Sequence, residues 1–199
     1  MTPLCSVLIP SLGRFDKLLR AIQSFYDTAD NPDNIEVLVR LHFSDREAME
    51  RRNEIFHCGR NVWVTIGEDK SEGTGNEVLW NDLLPIAKGT WLQFWSDDME
   101  IVGHGWDTKL AAMPTTQVIV HPEIHQLNES QYPNDARGPV PFIPRTAMHF
   151  FADEKFHTVP DVAIPNVLIP LGWKVRFLDG VGVRHDRCED ATTAIAYAG

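Results

Sequence analysis

The sequence predicts an α/β fold of three layers, with a mainly parallel central sheet flanked by helices. Short apolar runs that end in turn residues alternate with segments whose apolar residues recur at helical spacing. Such strand–helix alternation produces parallel strands joined by covering helices. At 199 residues, with 43% hydrophobic and 23% charged residues, the chain fits one compact domain.

Alternation is clearest in the first half of the chain. The apolar runs predict four strands, at 4–10, 35–41, 62–66 and 91–95. Between them, the spacing and composition predict helices at 16–26, 45–56 and 76–87. Pro85 weakens the last turn of the third helix, which ends near Gly89.

The pattern changes after residue 113. We expect a short strand at 117–120, a long polar loop at 121–138 and an extended segment at 139–144. A helix-like segment interrupted by prolines follows at 159–171, and two closing strands follow at 174–178 and 181–185.

Charge and cysteine content narrow the function classes. A net charge of −10 disfavours generic nucleic-acid binding. Cys5, Cys58 and Cys188 are odd in number and lack C-x-x-C spacing, so we expect reduced thiols and a cytoplasmic protein. No run approaches the roughly 20 apolar residues of a membrane span, and we expect no signal peptide.

An acidic pair follows the fourth predicted strand directly. Asp97 and Asp98 come after the apolar run 91–95 and Ser96. Ligands of parallel sheets bind beyond the carboxyl ends of the strands, so the turn after Pro10 should lie at the same edge. Because Mg²⁺ and Mn²⁺ prefer oxygen ligands, the pair predicts a cation site. The alternative from the residues alone is a solvated turn or a helix N-cap.

Four stretches resemble family-two glycosyltransferases with the GT-A fold, which use nucleotide sugars: residues 5–25, 81–101, 105–110 and 160–185. The last stretch matches the family's order of an acidic residue, a helix, a Gly–aromatic pair, a strand and a terminal His, with Asp161 at its start and His185 at its end. The resemblance implies a single GT-A domain over 1–199. About 1–113 would bind the nucleotide sugar, and about 114–199 would form the acceptor part and closing strands.

The resemblance also implies a reaction. It is the metal-dependent, inverting transfer of a sugar from a nucleoside diphosphate sugar, by default a UDP-sugar, to an acceptor hydroxyl. Mn²⁺ or Mg²⁺ would be held by Asp98 and His185, and Asp97 would share the metal or bind the donor. Asp161 would be the general base; its other interpretation is a helix N-cap.

Further residues are implied in donor or acceptor binding by their positions in the family pattern. They are Pro10, Ser11, Gly13 and Arg14 in the first turn, Asp45 as an approximate reader of the base, Lys70 and Gly73 in the third loop, Asn81, Trp106 and Arg145. For Trp106, core packing is the other and favoured interpretation.

The sequence departs from the family at three places. The metal motif lacks the first acid of Asp-x-Asp, the second strand does not end in an acid, and Pro160 precedes Asp161 where Glu is common. A nucleotidyltransferase and a non-catalytic nucleotide-sugar-binding domain are the alternatives. A zinc hydrolase is disfavoured because His121-Pro122-Glu123-Ile124-His125 is not H-E-x-x-H. The acceptor is left open among a saccharide, a lipid-linked intermediate, a protein and a modified nucleobase.

Overall fold

The computed structural model describes residues 2–67, 77–123, 141–156 and 160–185, without the side chains of residues 77 and 78. Predictions made for Lys70, Gly73, His125 and Cys188 lie outside these residues.

A seven-stranded sheet forms the middle layer. Its spatial order is β3-β2-β1-β4-β7-β6-β8. The first four strands in that order are mutually parallel, β7 is antiparallel to β4 and β6, and β6 is parallel to β8. The strands are β1 (Cys5–Ser11), β2 (Ile35–His42), β3 (Val62–Gly67), β4 (Trp91–Phe94), β6 (Val118–Pro122), β7 (Phe142–Pro144) and β8 (Lys174–Leu178). The predicted mainly parallel sheet is confirmed.

A small second sheet consists of β5 (Met99–Val102) and β9 (Gly182–His185), which run antiparallel. The register places Met99 opposite His185. The sequence predicted β9 but not β5, because a four-residue strand directly after an acidic turn is too short for its alternation to stand out.

Five α-helices lie in the described part of the chain: α1 (Phe15–Asp27), α2 (Arg46–Arg51), α3 (Glu77–Asn81), α4 (Trp106–Ala111) and α5 (Pro160–Leu168). The second and third predicted helices are shorter than expected and continue as 3₁₀ turns at Arg52–His57 and Leu84–Ile86. α5 continues through Pro165, whereas the sequence favoured an interruption there. α4 was not predicted.

Both faces of the sheet are buried, which is typical of parallel sheets covered by helices. Side chains that alternate along β1 show this: Val7 packs with the α1 side, and Leu8 packs with the α5 side. The layers therefore are helix, sheet and helix, as predicted. Within the described residues, no helix combines the length and the apolar character that crossing a membrane requires.

Candidate active site

The acidic pair lies at the edge where the sheet changes direction. β1 stands between β2 and β4, so the chain order reverses at β1 and leaves a crevice beyond the carboxyl ends of these strands. Asp97 and Ser11 meet there, and Ser11 Oγ donates a 2.7 Å hydrogen bond to Asp97 Oδ2. Asp97 is completely buried, whereas Asp98 is slightly exposed.

His185 reaches the acidic pair through the small sheet. Because β5 starts directly after Asp98 and pairs with β9, the end of β9 lies beside the acid. His185 Nε2 is 3.4 Å from Asp98 Oδ2. The structure thus brings together two residues that are far apart in sequence and that the sequence proposed as metal ligands.

Arg14 lies over both acids. It follows Gly13, whose φ of 70° belongs to the left-handed region that glycine adopts without strain. Arg14 Nη2 lies 2.6 Å from Asp97 Oδ1, and Arg14 Nη1 donates to Asp98 Oδ2 at 2.8 Å. The first contact is an ion pair that lacks hydrogen-bond alignment. Asp98 Oδ1 also accepts a 2.5 Å hydrogen bond from Ser96 Oγ.

Two adjacent carboxylates differ in their affinity for protons. Burial raises the pKa of Asp97 to about 6, although the Arg14 charge and the Ser11 hydrogen bond act in the opposite direction. Burial also opposes ionisation of Asp98, but hydrogen bonds from His185 and Ser96 and the charges of His185 and Arg14 outweigh it. These interactions hold the pKa of Asp98 well below its usual range. Asp98 therefore stays ionised at lower pH than Asp97.

Asp98 and His185 fit a divalent cation. A carboxylate oxygen and an imidazole nitrogen about 3.4 Å apart can face one ion. No group of three His, Cys, Asp or Glu side chains with metal-site geometry occurs in the described residues. A cation here would need additional oxygen ligands from a bound substrate, which is how Mg²⁺ is usually held at phosphate sites.

Asp45 supports the first turn from behind. The sequence placed it as an approximate reader of the base, but it is largely buried and both of its oxygens accept backbone hydrogen bonds. Asp45 Oδ2 accepts from Gly13 N at 2.6 Å, and Oδ1 accepts from Ala48 N at 3.0 Å as the N-cap of α2. Asp in front of a charged helical run was the sequence signal for this cap.

Two predicted binding residues have their polar atoms engaged inside the protein. Asn81 donates to Phe156 O at 2.8 Å and accepts from Phe156 N at 2.9 Å. Trp106 is fully buried, stacks on Phe142 and donates to Phe25 O. Trp106 thus has the core position that its residue type favours, and ligand contact stays a prediction for Asn81; both side chains hold elements together.

The neighbouring Asp107 has a role that the sequence did not reveal. It is buried, and its two oxygens accept from the backbone N–H groups of Asp30 and Asn31 at 2.8 and 2.7 Å. The run Gly105-Trp106-Asp107 therefore attaches the start of α4 to the end of α1. Its sequence signal was its place in the stretch 105–110, which carries part of the family resemblance.

Arg145 lies away from the acids. Its backbone N–H donates to Thr90 O at 2.8 Å, beside the first residue of β4, whereas Asp98 follows the last. At roughly 3.3 Å per residue, the four residues of β4 put about 13 Å of strand between the two sites. Arg145 lines a separate groove of about 480 Å³. A contact of Arg145 with a phosphate or an acceptor stays a prediction.

Asp161 lies in the first turn of α5 and is half-buried, with Oδ1 accepting from Val162 N at 3.0 Å. Phe156, five residues earlier, packs its ring against Phe94 at the carboxyl end of β4, with ring centroids 4.8 Å apart. In the described part of the chain, no direct contact links Asp161 with Asp98. Pro10 lies within β1 opposite Arg40, one residue before the turn.

No protein-family model matches this chain, and no curated protein matches it. Structure comparison is informative. The mannosyltransferase PcManGT from Pyrobaculum calidifontis, in complex with GDP-Man and Mn²⁺, superposes with a TM-score of 0.70 at 14% identity over 98% of this chain and 60% of its own. TarS of S. aureus in complex with UDP-GlcNAc gives 0.66 at 14% identity over 93% and 59%.

The chain has the GT-A fold. A third structure with this fold, GalNAc-T7 with UDP, GalNAc and Mn²⁺, gives a TM-score of 0.68 at 15% identity over 92% of this chain and 44% of its own. The chain thus spans 60% or less of the length of these three structures. The predicted fold is confirmed, and at these identities the likeness concerns the fold alone.

Proposed function

We propose that the protein is a divalent-cation-dependent glycosyltransferase that moves a sugar from a nucleoside diphosphate sugar to an acceptor hydroxyl with inversion. The observation that carries the proposal is the meeting of Asp98 and His185 at the switch-point crevice of a GT-A fold. PcManGT and GalNAc-T7 were solved with Mn²⁺ and nucleotide or nucleotide-sugar ligands, which supports a cation and such a donor here.

Each residue of the crevice has a part in the proposed reaction. Asp98 and His185 hold the cation, and Mn²⁺ or Mg²⁺ supplies Lewis-acid neutralisation of the leaving diphosphate. Asp97 is held by Ser11 and Arg14. Its part is therefore to orient the turn and the donor, and Asp98 is the main acidic ligand of the ion. The turn after β1 follows at the same edge, and its backbone N–H groups other than that of Gly13, which donates to Asp45, would be donors for phosphate oxygens.

Asp161 completes the proposal as the general base. Inversion requires the acceptor hydroxyl to attack the anomeric carbon from the side opposite the diphosphate, and one carboxylate must take its proton. Asp161 is partly exposed in the first turn of α5, and one of its oxygens accepts from the adjacent Val162 N–H. Among the described residues, the other oxygen accepts no hydrogen bond, and in the proposed reaction it takes the proton of the acceptor.

A panel of UDP- and GDP-sugars with Mn²⁺, assayed for release of the nucleoside diphosphate, tests the proposed function. We expect sugar-dependent release by the wild type and a loss of at least about 100-fold in Asp98→Asn and His185→Ala, because each removes a cation ligand. Asp33→Asn and His149→Ala are matched controls, since both side chains are exposed and contact only Arg60 and Glu154 in the described structure.

Two outcomes would contradict this proposal. Donor binding without release across a broad acceptor set would indicate a binding domain. Pyrophosphate release from a nucleoside triphosphate and a sugar phosphate would indicate a nucleotidyltransferase.

A further inference from the structure

One oxygen of Asp98 faces two different partners. Arg14 Nη1 lies 2.8 Å from Asp98 Oδ2, and His185 Nε2 lies 3.4 Å from the same atom. The other Asp98 oxygen accepts from Ser96. A cation held between Asp98 and His185 would need the oxygen that the guanidinium contacts.

The guanidinium of Arg14 supplies positive charge to both acids. Asp97 is completely buried, and a buried carboxylate without a counter-charge is strongly unfavourable. Arg14 contacts the two acids through different nitrogens, since Nη2 lies 2.6 Å from Asp97 Oδ1 and Nη1 donates to Asp98 Oδ2. One end of the side chain can therefore stay attached while the other changes partner.

Arg14 also has capacity for another partner. Its side chain is 24% exposed, and its buried Nε donates no hydrogen bond within the described residues. Guanidinium groups match the geometry of phosphate oxygens as well as that of carboxylates. A diphosphate that enters the crevice would offer Arg14 a replacement for Asp98.

We infer that Arg14 competes with the divalent cation for Asp98 and exchanges that contact for the diphosphate of the donor. This inference rests on the proposed function, because it takes Asp98 and His185 as the cation ligands. Its consequence is that the free protein binds the cation weakly, whereas cation and nucleotide bind with positive coupling. Arg14 is thus a positioning residue that links the two ligands.

Mn²⁺ affinity, measured by electron paramagnetic resonance with and without UDP, tests the inference. Without UDP, we expect Arg14→Gln to bind Mn²⁺ about 5-fold or more tightly than the wild type, because the competitor is absent. Arg14→Lys should be intermediate, since an ammonium keeps the positive charge but lacks the planar fork by which Arg14 contacts the two carboxylates. The matched control is Arg20→Gln, which removes the same charge from α1 but contacts Glu100 at the surface.

UDP should increase Mn²⁺ affinity more in the wild type than in Arg14→Gln, the variant that binds Mn²⁺ more tightly without UDP. The factor is larger in the wild type because only the wild type gains an Arg14–diphosphate contact. Thermal melting adds a second readout. Arg14→Gln should melt lower than the wild type without Mn²⁺ and recover more on its addition, because the cation restores positive charge beside the acids.

Equal or weaker Mn²⁺ binding by the folded Arg14 variants without UDP would overturn the inference. If Asp98→Asn still abolishes Mn²⁺ binding in that case, the cation site of the proposed function stands. If Asp98→Asn binds Mn²⁺ as the wild type does, the cation site itself is wrong and the inference falls with it.

Discussion

Gly89 illustrates how a single residue is dictated by the backbone that it approaches. A Cβ at this position would lie 2.3 Å from Ser6 N and 2.7 Å from Cys5 C, both backbone atoms of β1. Gly89 N also donates to Ser6 Oγ at 2.7 Å and to Glu36 Oε1 at 3.2 Å. The glycine that contributed to the family resemblance therefore has a packing role beneath β1.

Gly89→Ala should destabilise the protein by about 1–3 kcal/mol or more, because the backbone atoms that it meets cannot move aside as a flexible side chain would. Urea unfolding monitored by tryptophan fluorescence measures the change. Thr90→Ala is the control, since Thr90 is exposed. An unchanged unfolding midpoint for Gly89→Ala would show that the close contact is absent.

Asp161 is the general base of the inverting transfer in the proposed function. Asp161→Asn keeps the size of the side chain but removes its basicity, so we expect donor binding to be retained and transfer to fall by roughly 10²–10⁴. Calorimetric titration of the donor and acceptor-dependent turnover measure the two quantities. Asp153→Asn, also in the segment after β7, is the control. Transfer at the wild-type rate would reject Asp161 as the base.

Asp45 acts at the scale of elements, since it joins α2 to the turn between β1 and α1. One oxygen caps α2 and the other holds Gly13 N, next to Arg14. The N-cap bond prevents fraying of a six-residue helix, and the second bond fixes the turn that carries Arg14. Helix and site are therefore stabilised by the same carboxylate.

Asp45→Ala should lower stability by roughly 1–2 kcal/mol, as the loss of an N-cap does, and should also raise the KM for the donor. Asp45→Asn should lose less stability, because its amide oxygen can still cap α2. Unfolding and steady-state kinetics on both variants measure these effects. If Asp45→Ala keeps full stability and changes only the choice of nucleobase, Asp45 is a reader of the base after all.

The register of the small sheet also positions a residue of the site. β5 and β9 bury Met99, Ile101 and Val183, whereas Glu100 points outward to Arg20 and Arg184. This alternation fixes the register, because a one-residue slip would turn the apolar side chains outward. The register in turn sets the position of His185 beside Asp98.

At the scale of the whole molecule, the sequence predicted the layers and the closeness of Asp97 to the first turn. Apolar runs predicted the parallel strands β1 to β4, and the rule that ligands bind at their carboxyl ends placed Asp97 beside the first turn. The short elements β5 and α4 were missed, since four and six residues do not establish a period.

Side-chain direction could not be predicted in the same way. A resemblance gives a position along the chain, but it does not say that Asn81 pairs with Phe156. The Arg14–Asp98 contact joins residues 84 positions apart and depends on the folded sheet. Such contacts come from tertiary structure, and local pattern carries no signal for them.

Anomalous diffraction from crystals grown with Mn²⁺ and a nucleoside diphosphate tests the central claim most directly. We expect one Mn²⁺ peak within about 2.0–2.4 Å of both an Asp98 carboxylate oxygen and His185 Nε2, with diphosphate oxygens completing its coordination. A nucleotide bound in the crevice with no Mn²⁺ at Asp98 and His185, or with Mn²⁺ held elsewhere, would contradict the account.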